Sequence, residues 1–245
     1  MKNRSCCVFD LYGTLVDIRT DEGTPELWQR MARYYALHGA AYEPQALRAR
    51  FFALVSQMEK SAPLRQDAHE AHPEIEIERV FARLFEDAGV ACGERLARES
   101  ALRFRRLSTE YIRLYPGAKE LIDSLRAAGR RVYLLSNAQA VFTLEEMAHL
   151  GMEGWFDGVV LSSREGVRKP DKRLFDVLFA RFGIEAKDCV MIGNDGICDI
   201  AGAKAAGMRT IYIRSNISPA EPLPQADAVL EEMDLARVGR ILLGD

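Results

Sequence analysis

Apolar and polar positions divide the chain into two patterns. From about residue 115 onward, short apolar runs alternate with longer stretches of helical period. The runs at 132–135, 159–161, 190–192 and 210–213 predict strands, and the stretches at 118–128, 143–150, Lys172–Phe182 and 199–206 predict helices. Strands alternating with helices of this length build βαβ units and a parallel sheet. Cys6–Phe9 predicts a further buried strand and Ala228–Leu230 a weaker one. Between residues 19 and 111 the period changes to that of amphipathic helices, as in Trp28, Met31 and Tyr35, or Val80, Leu84 and Phe85. Pro44, Pro63, Pro73 and Gly89 punctuate this stretch, which predicts an insertion of roughly three to five helices. The fold class expected is therefore α/β: a Rossmann-like, doubly wound parallel sheet with an inserted α-helical cap. Residues 1–17 and 112–245 form the core and 18–111 the cap.

Composition narrows the functions open to the chain. Of 245 residues, 48% are hydrophobic and 28% charged, with a net charge of −3. Such a chain builds an ordinary core without disulfide staples. Basic and acidic residues balance at 33 against 36, so nucleic acid is not an expected partner. Arg103, Arg105 and Arg106 cluster, and we read them as a solvated helix face. No apolar run approaches the ~20 residues that span a bilayer, so no membrane partner is expected. The five cysteines have no C-x-x-C spacing and fit reduced thiols; with few residues before the first strand, a cytoplasmic location is expected. The partner expected is a small-molecule substrate.

Four polar tips follow predicted strands. Asp10 closes the first, ahead of Leu11-Tyr12-Gly13-Thr14, and would project into the crevice beyond the carboxyl ends of a parallel sheet. Ser136-Asn137 ends the second, where a hydroxyl and backbone N–H groups suit an anion. Lys169-Pro170-Asp171 stands at a loop–helix junction, where a lysine can neutralise phosphate or orient a carboxylate. Asn194-Asp195-Gly196-Ile197-Cys198-Asp199 follows a strand with clustered oxygen ligands, which suit a hard cation such as Mg²⁺. Each tip has an ordinary alternative as a turn, a helix cap or a solvated side chain.

Together, in this order and with helices inserted after the first, the tips resemble the four motifs of the haloacid dehalogenase-like (HAD) superfamily. The resemblance covers nearly the whole chain. It implies that Asp10 is a nucleophile forming a covalent aspartyl intermediate, with Lys169 and Ser136 as catalytic partners. It implies a Mg²⁺ site drawn from Asp10, the Tyr12 carbonyl, Asp199 and either Asn194 or Asp195. We take Asp195 as the fourth-motif ligand, with Asn194 as the alternative register. Thr14, Asn137 and Arg19 are the implied substrate contacts. In the cap, Asp21, Glu22, Trp28, Tyr34, Tyr35 and His38 fall on the side where substrates enter, the aromatics read as cap core. His69 and His72 flank a loop and are given no role.

One residue departs from the phosphatase pattern. Phosphatases of this family carry a second Asp, a general acid–base, where this chain has Tyr12. The Tyr-Gly-Thr variant also resembles the 2-haloacid dehalogenases, in which Asp10 would attack carbon and expel halide. Those enzymes have a neutral fourth motif and a tyrosine where this chain has Phe175. The reading adopted is a Mg²⁺-dependent phosphatase of a small phosphorylated metabolite. The alternatives are a dehalogenase-type hydrolase and a HAD-like binding protein that turns over slowly.

Overall fold

A computed structural model describes residues 6–61, 72, 74–220 and 222–244. Its centre is a six-stranded, wholly parallel sheet of order β5-β4-β1-β6-β7-β8. The strands are β1 (Cys6–Phe9), β4 (Arg131–Ser136), β5 (Gly158–Leu161), β6 (Cys189–Gly193), β7 (Arg209–Ile213) and β8 (Ala228–Leu230). These strands carry apolar residues almost throughout because helices cover both faces. Alternation sorts β1 side chains: Cys7 and Phe9 join one cluster, and Cys6 and Val8 the other. The first face is covered by α5 (Ala118–Ala127) and α10 (Leu235–Leu243), the second by α8 (Lys172–Phe182) and the short α9 (Gly202–Ala205). The core is thus Rossmann-like and doubly wound.

The expected helix at 199–206 takes a different form. A wide π-type turn over Gly196–Ala201 runs directly into α9. Asp195 starts it by accepting the N–H groups of Ile197 and Cys198 at 2.9 and 2.7 Å. The helix expected at 143–150 begins earlier, as α6 (Ala140–His149), and Ser162–Glu165 adds a short α7.

The stretch between the first and second motifs folds as α1 (Pro25–Leu37), α2 (Pro44–Ser61), α3 (Ile77–Asp87) and α4 (Glu94–Ser108). These helices bury their own core, including Trp28, Tyr35, Phe51, Phe81, Phe85 and Phe104. That core continues into Val141 and Phe142 at the start of α6. The periodicity did not reveal a two-stranded antiparallel ribbon at the base, β2 (Val16–Thr20) with β3 (Thr109–Leu114). It crosses both junctions at which the sequence divides cap from core. His69 lies outside the described residues. Among the described residues, no helix is long and apolar enough to cross a membrane.

Chain order fixes where a ligand crevice falls. From β1 the chain moves outward through β4 and β5, then returns to the other side of β1 at β6. Adjacent strands at this reversal splay their following loops apart, opening a crevice at their carboxyl ends. Asp10, Ser136 and Asn194 each follow or close one of these three strands.

Candidate active site

Asp10 sits just past β1, its N–H donating to the Ile192 carbonyl of β6 at 2.9 Å. Its Oδ1 accepts the Ser136 hydroxyl at 3.0 Å and the Lys169 ammonium at 2.8 Å. Lys169 Nζ also donates to Asp199 Oδ1 at 2.6 Å and to the Leu135 carbonyl at 2.8 Å. All three donor sites of this ammonium are therefore filled, and its side chain is 1% exposed. Burial alone would lower the Lys169 value, but the Asp10 and Asp199 carboxylates outweigh it and hold the group above its ordinary range, charged. Asp199 is pushed up by burial, with Lys169 opposing and Asp10 adding to the rise. One buried cation thus serves two carboxylates.

Asn137 holds the lysine from behind. Its Nδ2 donates to the Lys169 carbonyl at 2.9 Å and its Oδ1 accepts the Lys169 N–H at 2.7 Å. The second and third motifs are thereby tied together through one side chain. Two glycines permit the close approaches around them. A Cβ on Gly193 would fall 2.3 Å from Asp199 Oδ2, and one on Gly13 would fall 2.3 Å from Asn194 Nδ2. Gly13 also has φ of +83°, a left-handed conformation that favours glycine.

Asp10, Tyr12, Ser136, Asn137, Lys169, Asn194, Asp195 and Asp199 line one cavity of about 210 Å³. Other sequence-predicted residues are placed differently. Thr14 is fully buried and donates to Asn194 Oδ1 at 3.3 Å, beneath the cavity. Arg19 lies on the ribbon, largely exposed, and pairs with Glu110 at 3.0 Å. Neither lines the cavity. Asp195 Oδ1 is spent on the π-type turn, while Asp199 Oδ2 accepts the Asp195 N–H at 3.0 Å. Phe175 is fully buried in the core against the second sheet face, away from this cavity.

Tyr12 has a different surrounding from the one its motif position implies. Its hydroxyl donates to Glu146 on α6 and lies 3.0 Å from the Thr143 hydroxyl. Arg105 of α4 donates to the same Glu146 at 2.6 Å and lies 5.8 Å over the Tyr12 ring and 5.2 Å over that of Phe142. Burial, then the facing Glu146 carboxylate, push the phenol well above its ordinary value, with Arg105 opposing. A phenol so held stays protonated and cannot act as a base near neutral pH. Arg105 is thus no member of a solvated face, although Arg103 and Arg106 are exposed. Neither its pairing nor Glu146 is legible in the sequence, since contacts 41 positions apart leave no mark in local spacing.

A family model for haloacid dehalogenase-like hydrolases matches residues 5–207. The chain belongs to this family. Phosphoserine phosphatase of Thermus thermophilus is 34% identical over 150 residues, covering 61% of the HAD-like chain and 59% of its own. A glyceraldehyde 3-phosphate phosphatase of Pyrococcus abyssi is 32% identical over 104 residues, 42% of the chain and 44% of its own. The HAD-like chain therefore matches less than two thirds of the length of these curated relatives. The crystal structure of a 2-haloacid dehalogenase from Pseudomonas syringae superposes with a TM-score of 0.63 and 21% identity, covering 97% of each chain. That likeness is one of fold alone.

Proposed function

We propose that this HAD-like hydrolase is a cytoplasmic, Mg²⁺-dependent phosphatase of a small phosphorylated metabolite, with residues 18–111 acting as its cap. The observation that carries the reading is the arrangement around Asp10. Ser136 and Lys169 hold Oδ1, while Oδ2 accepts no hydrogen bond among the described residues and is free to attack phosphorus. The proposed first step forms the Asp10 Oδ2–phosphorus bond and breaks the bond from phosphorus to the leaving oxygen. Water then attacks the phosphoryl-aspartate and releases phosphate. The backbone N–H of Asn137 and the Ser136 hydroxyl would hold phosphoryl oxygens. Two curated relatives named as phosphatases support the same chemistry.

The donor set fits a magnesium ion. Mg²⁺ is commonly held through one or two carboxylates, with waters and substrate phosphate completing its shell. Among the described residues no group of three or more His, Cys, Asp or Glu is placed to hold a metal ion by itself. Asp10, the Tyr12 carbonyl and either Asp195 or the Asn194 amide oxygen would hold the ion. Asp199, with both oxygens engaged, would serve by positioning Lys169. When bound, the ion supplies the positive charge that lets a carboxylate approach a phosphoryl dianion.

The test is phosphate release from p-nitrophenyl phosphate with Mg²⁺ and after EDTA. Release that chelation abolishes and Mg²⁺ restores is expected; release indifferent to chelation contradicts the reading. Tyr12 favours a second reading, because halide leaves without a proton. Halide release from 2-chloropropionate in the absence of metal would establish that dehalogenase chemistry in place of the phosphatase.

A further inference from the structure

Two cavities adjoin beyond the carboxyl ends of the strands, sharing Tyr12 and Asn137 in their walls. The smaller contains Asp10. The larger, of about 400 Å³, lies between the inserted helices and the sheet, with Phe51, Phe52, Phe104 and Phe142 on its apolar side. On the phosphatase reading, a phosphoryl group at Asp10 leaves the rest of the substrate in this larger cavity. An alkoxide is a poor leaving group, so the departing oxygen needs a proton. Tyr12 cannot supply one efficiently, because its hydroxyl is already donated to Glu146.

The carboxylates lining the two cavities can be taken in turn. Asp10 is held by Ser136 and Lys169. Asp199 is held by Lys169 and the Asp195 N–H, and Asp195, a proposed metal ligand, accepts two backbone N–H groups at Oδ1. Glu74 accepts the Ser162 hydroxyl at 2.8 Å, the Ile75 N–H at 3.1 Å and the Gln139 amide at 3.2 Å. That leaves Glu22, whose carboxylate accepts no hydrogen bond among the described residues. We propose that Glu22 is the general acid of this site, giving its proton to the leaving oxygen as the bond to phosphorus breaks. This rests on the phosphatase reading above.

Glu22 follows β2 and precedes α1. Its carbonyl accepts the Trp28 indole N–H at 2.8 Å, which fixes its backbone against the helical core. Glu22 lines the larger cavity together with Arg105, which also lies over the Tyr12 ring. Burial raises the Glu22 carboxyl above the ordinary range, with Arg105 opposing. The other charged groups of this cavity are Glu74 and Arg168, and Arg105 is itself paired to Glu146. A carboxyl held toward its neutral form in a cleft is suited to donate a proton. In the first step the Glu22 proton goes to the leaving oxygen. In the second, the Glu22 carboxylate accepts a proton from the water that attacks phosphorus, which restores the acid.

The experiment compares kcat/KM, with Mg²⁺, for p-nitrophenyl phosphate and for an alkyl ester such as glycerol phosphate. A phenolate of low basicity leaves without a proton and an alkoxide does not, so only the alkyl ester needs the acid. Glu22→Gln is expected to lose about 10²-fold on the alkyl ester, at the lower end for general acid catalysis, and to lose at least ~10-fold less on the aryl ester. Glu22→Asp is expected to restore part of the alkyl activity, and thermal melts show whether each variant is folded. Equal loss on both esters, no loss on either, or a change confined to KM with kcat intact overturns the assignment while leaving the phosphatase reading standing. Failure of the wild-type protein to hydrolyse either ester overturns both.

Discussion

Lys169 shows how much of this site depends on one side chain. Its ammonium is fully buried and meets two carboxylates and a backbone carbonyl. Removing one partner of a buried ion pair leaves an uncompensated charge, which costs about 3–5 kcal/mol. Lys169→Met should therefore lower stability by about that much in urea unfolding, in addition to abolishing turnover. Combining it with Asp199→Asn should recover part of the stability but none of the activity. Tyr12 gives the complementary case. Tyr12→Phe removes the hydrogen bond to Glu146 and should cost about 1–2 kcal/mol in a chemical melt. Its pH–rate profile should keep both limbs, because the phenol is not the titrating acid. That Asp10 and Ser136 share a cavity could be expected from sequence because each closes an apolar run, and Lys169 and Asp199 join them through the order of the motifs. The direction of the Tyr12 hydroxyl could not, since it depends on α6.

At the scale of elements, the bridge from α4 to α6 joins the inserted helices to the sheet domain. Arg105 and Glu146 are 16% and 12% exposed, so solvent screens this pair far less than a surface one. Glu146→Gln should weaken it, and hydrogen exchange should quicken in α4 while the central strands stay protected. The ribbon at the base has its own anchor. Buried Asp17 accepts Arg113 at 2.7 Å, the Asn216 amide at 2.9 Å and the Tyr111 hydroxyl at 3.2 Å. Burial alone would raise the Asp17 value, but these hydrogen bonds outweigh it and hold it below the ordinary range. A carboxyl depressed in the folded state adds stability above its unfolded value, and that stability is lost as pH falls through the folded one. Asp17→Asn should thus lower Tm at neutral pH, with the difference from wild type shrinking below about pH 4. The core strands were legible because they are buried on both faces and read as continuous apolar runs. The ribbon was not, because its burial is partial and its partners are separated by about ninety residues of sequence.

Across the whole molecule, the mild net charge of −3 conceals an uneven distribution. Asp10 and Asp199 meet a single lysine at the point where the strand order reverses, and Asp195 lines the same cavity. On the reading proposed above, this crevice takes a cation before it accepts a phosphate, and the larger cavity between the inserted helices and the sheet takes the substrate's remainder. The fold could be read from periodicity and motif order, since both follow from local sequence. The larger cavity could not, because α2, α4 and α6 each contribute to it and no stretch of sequence contains it. On the proposed reading, Asp10 attacks phosphorus. Rapid acid quench during turnover of an aryl phosphate with Mg²⁺, followed by mass spectrometry of the peptide that contains residue 10, tests it directly. A phosphoryl group on Asp10, absent after EDTA and in Asp10→Asn, is the predicted result. Turnover with Asp10 unmodified, or persisting in Asp10→Asn, would contradict it.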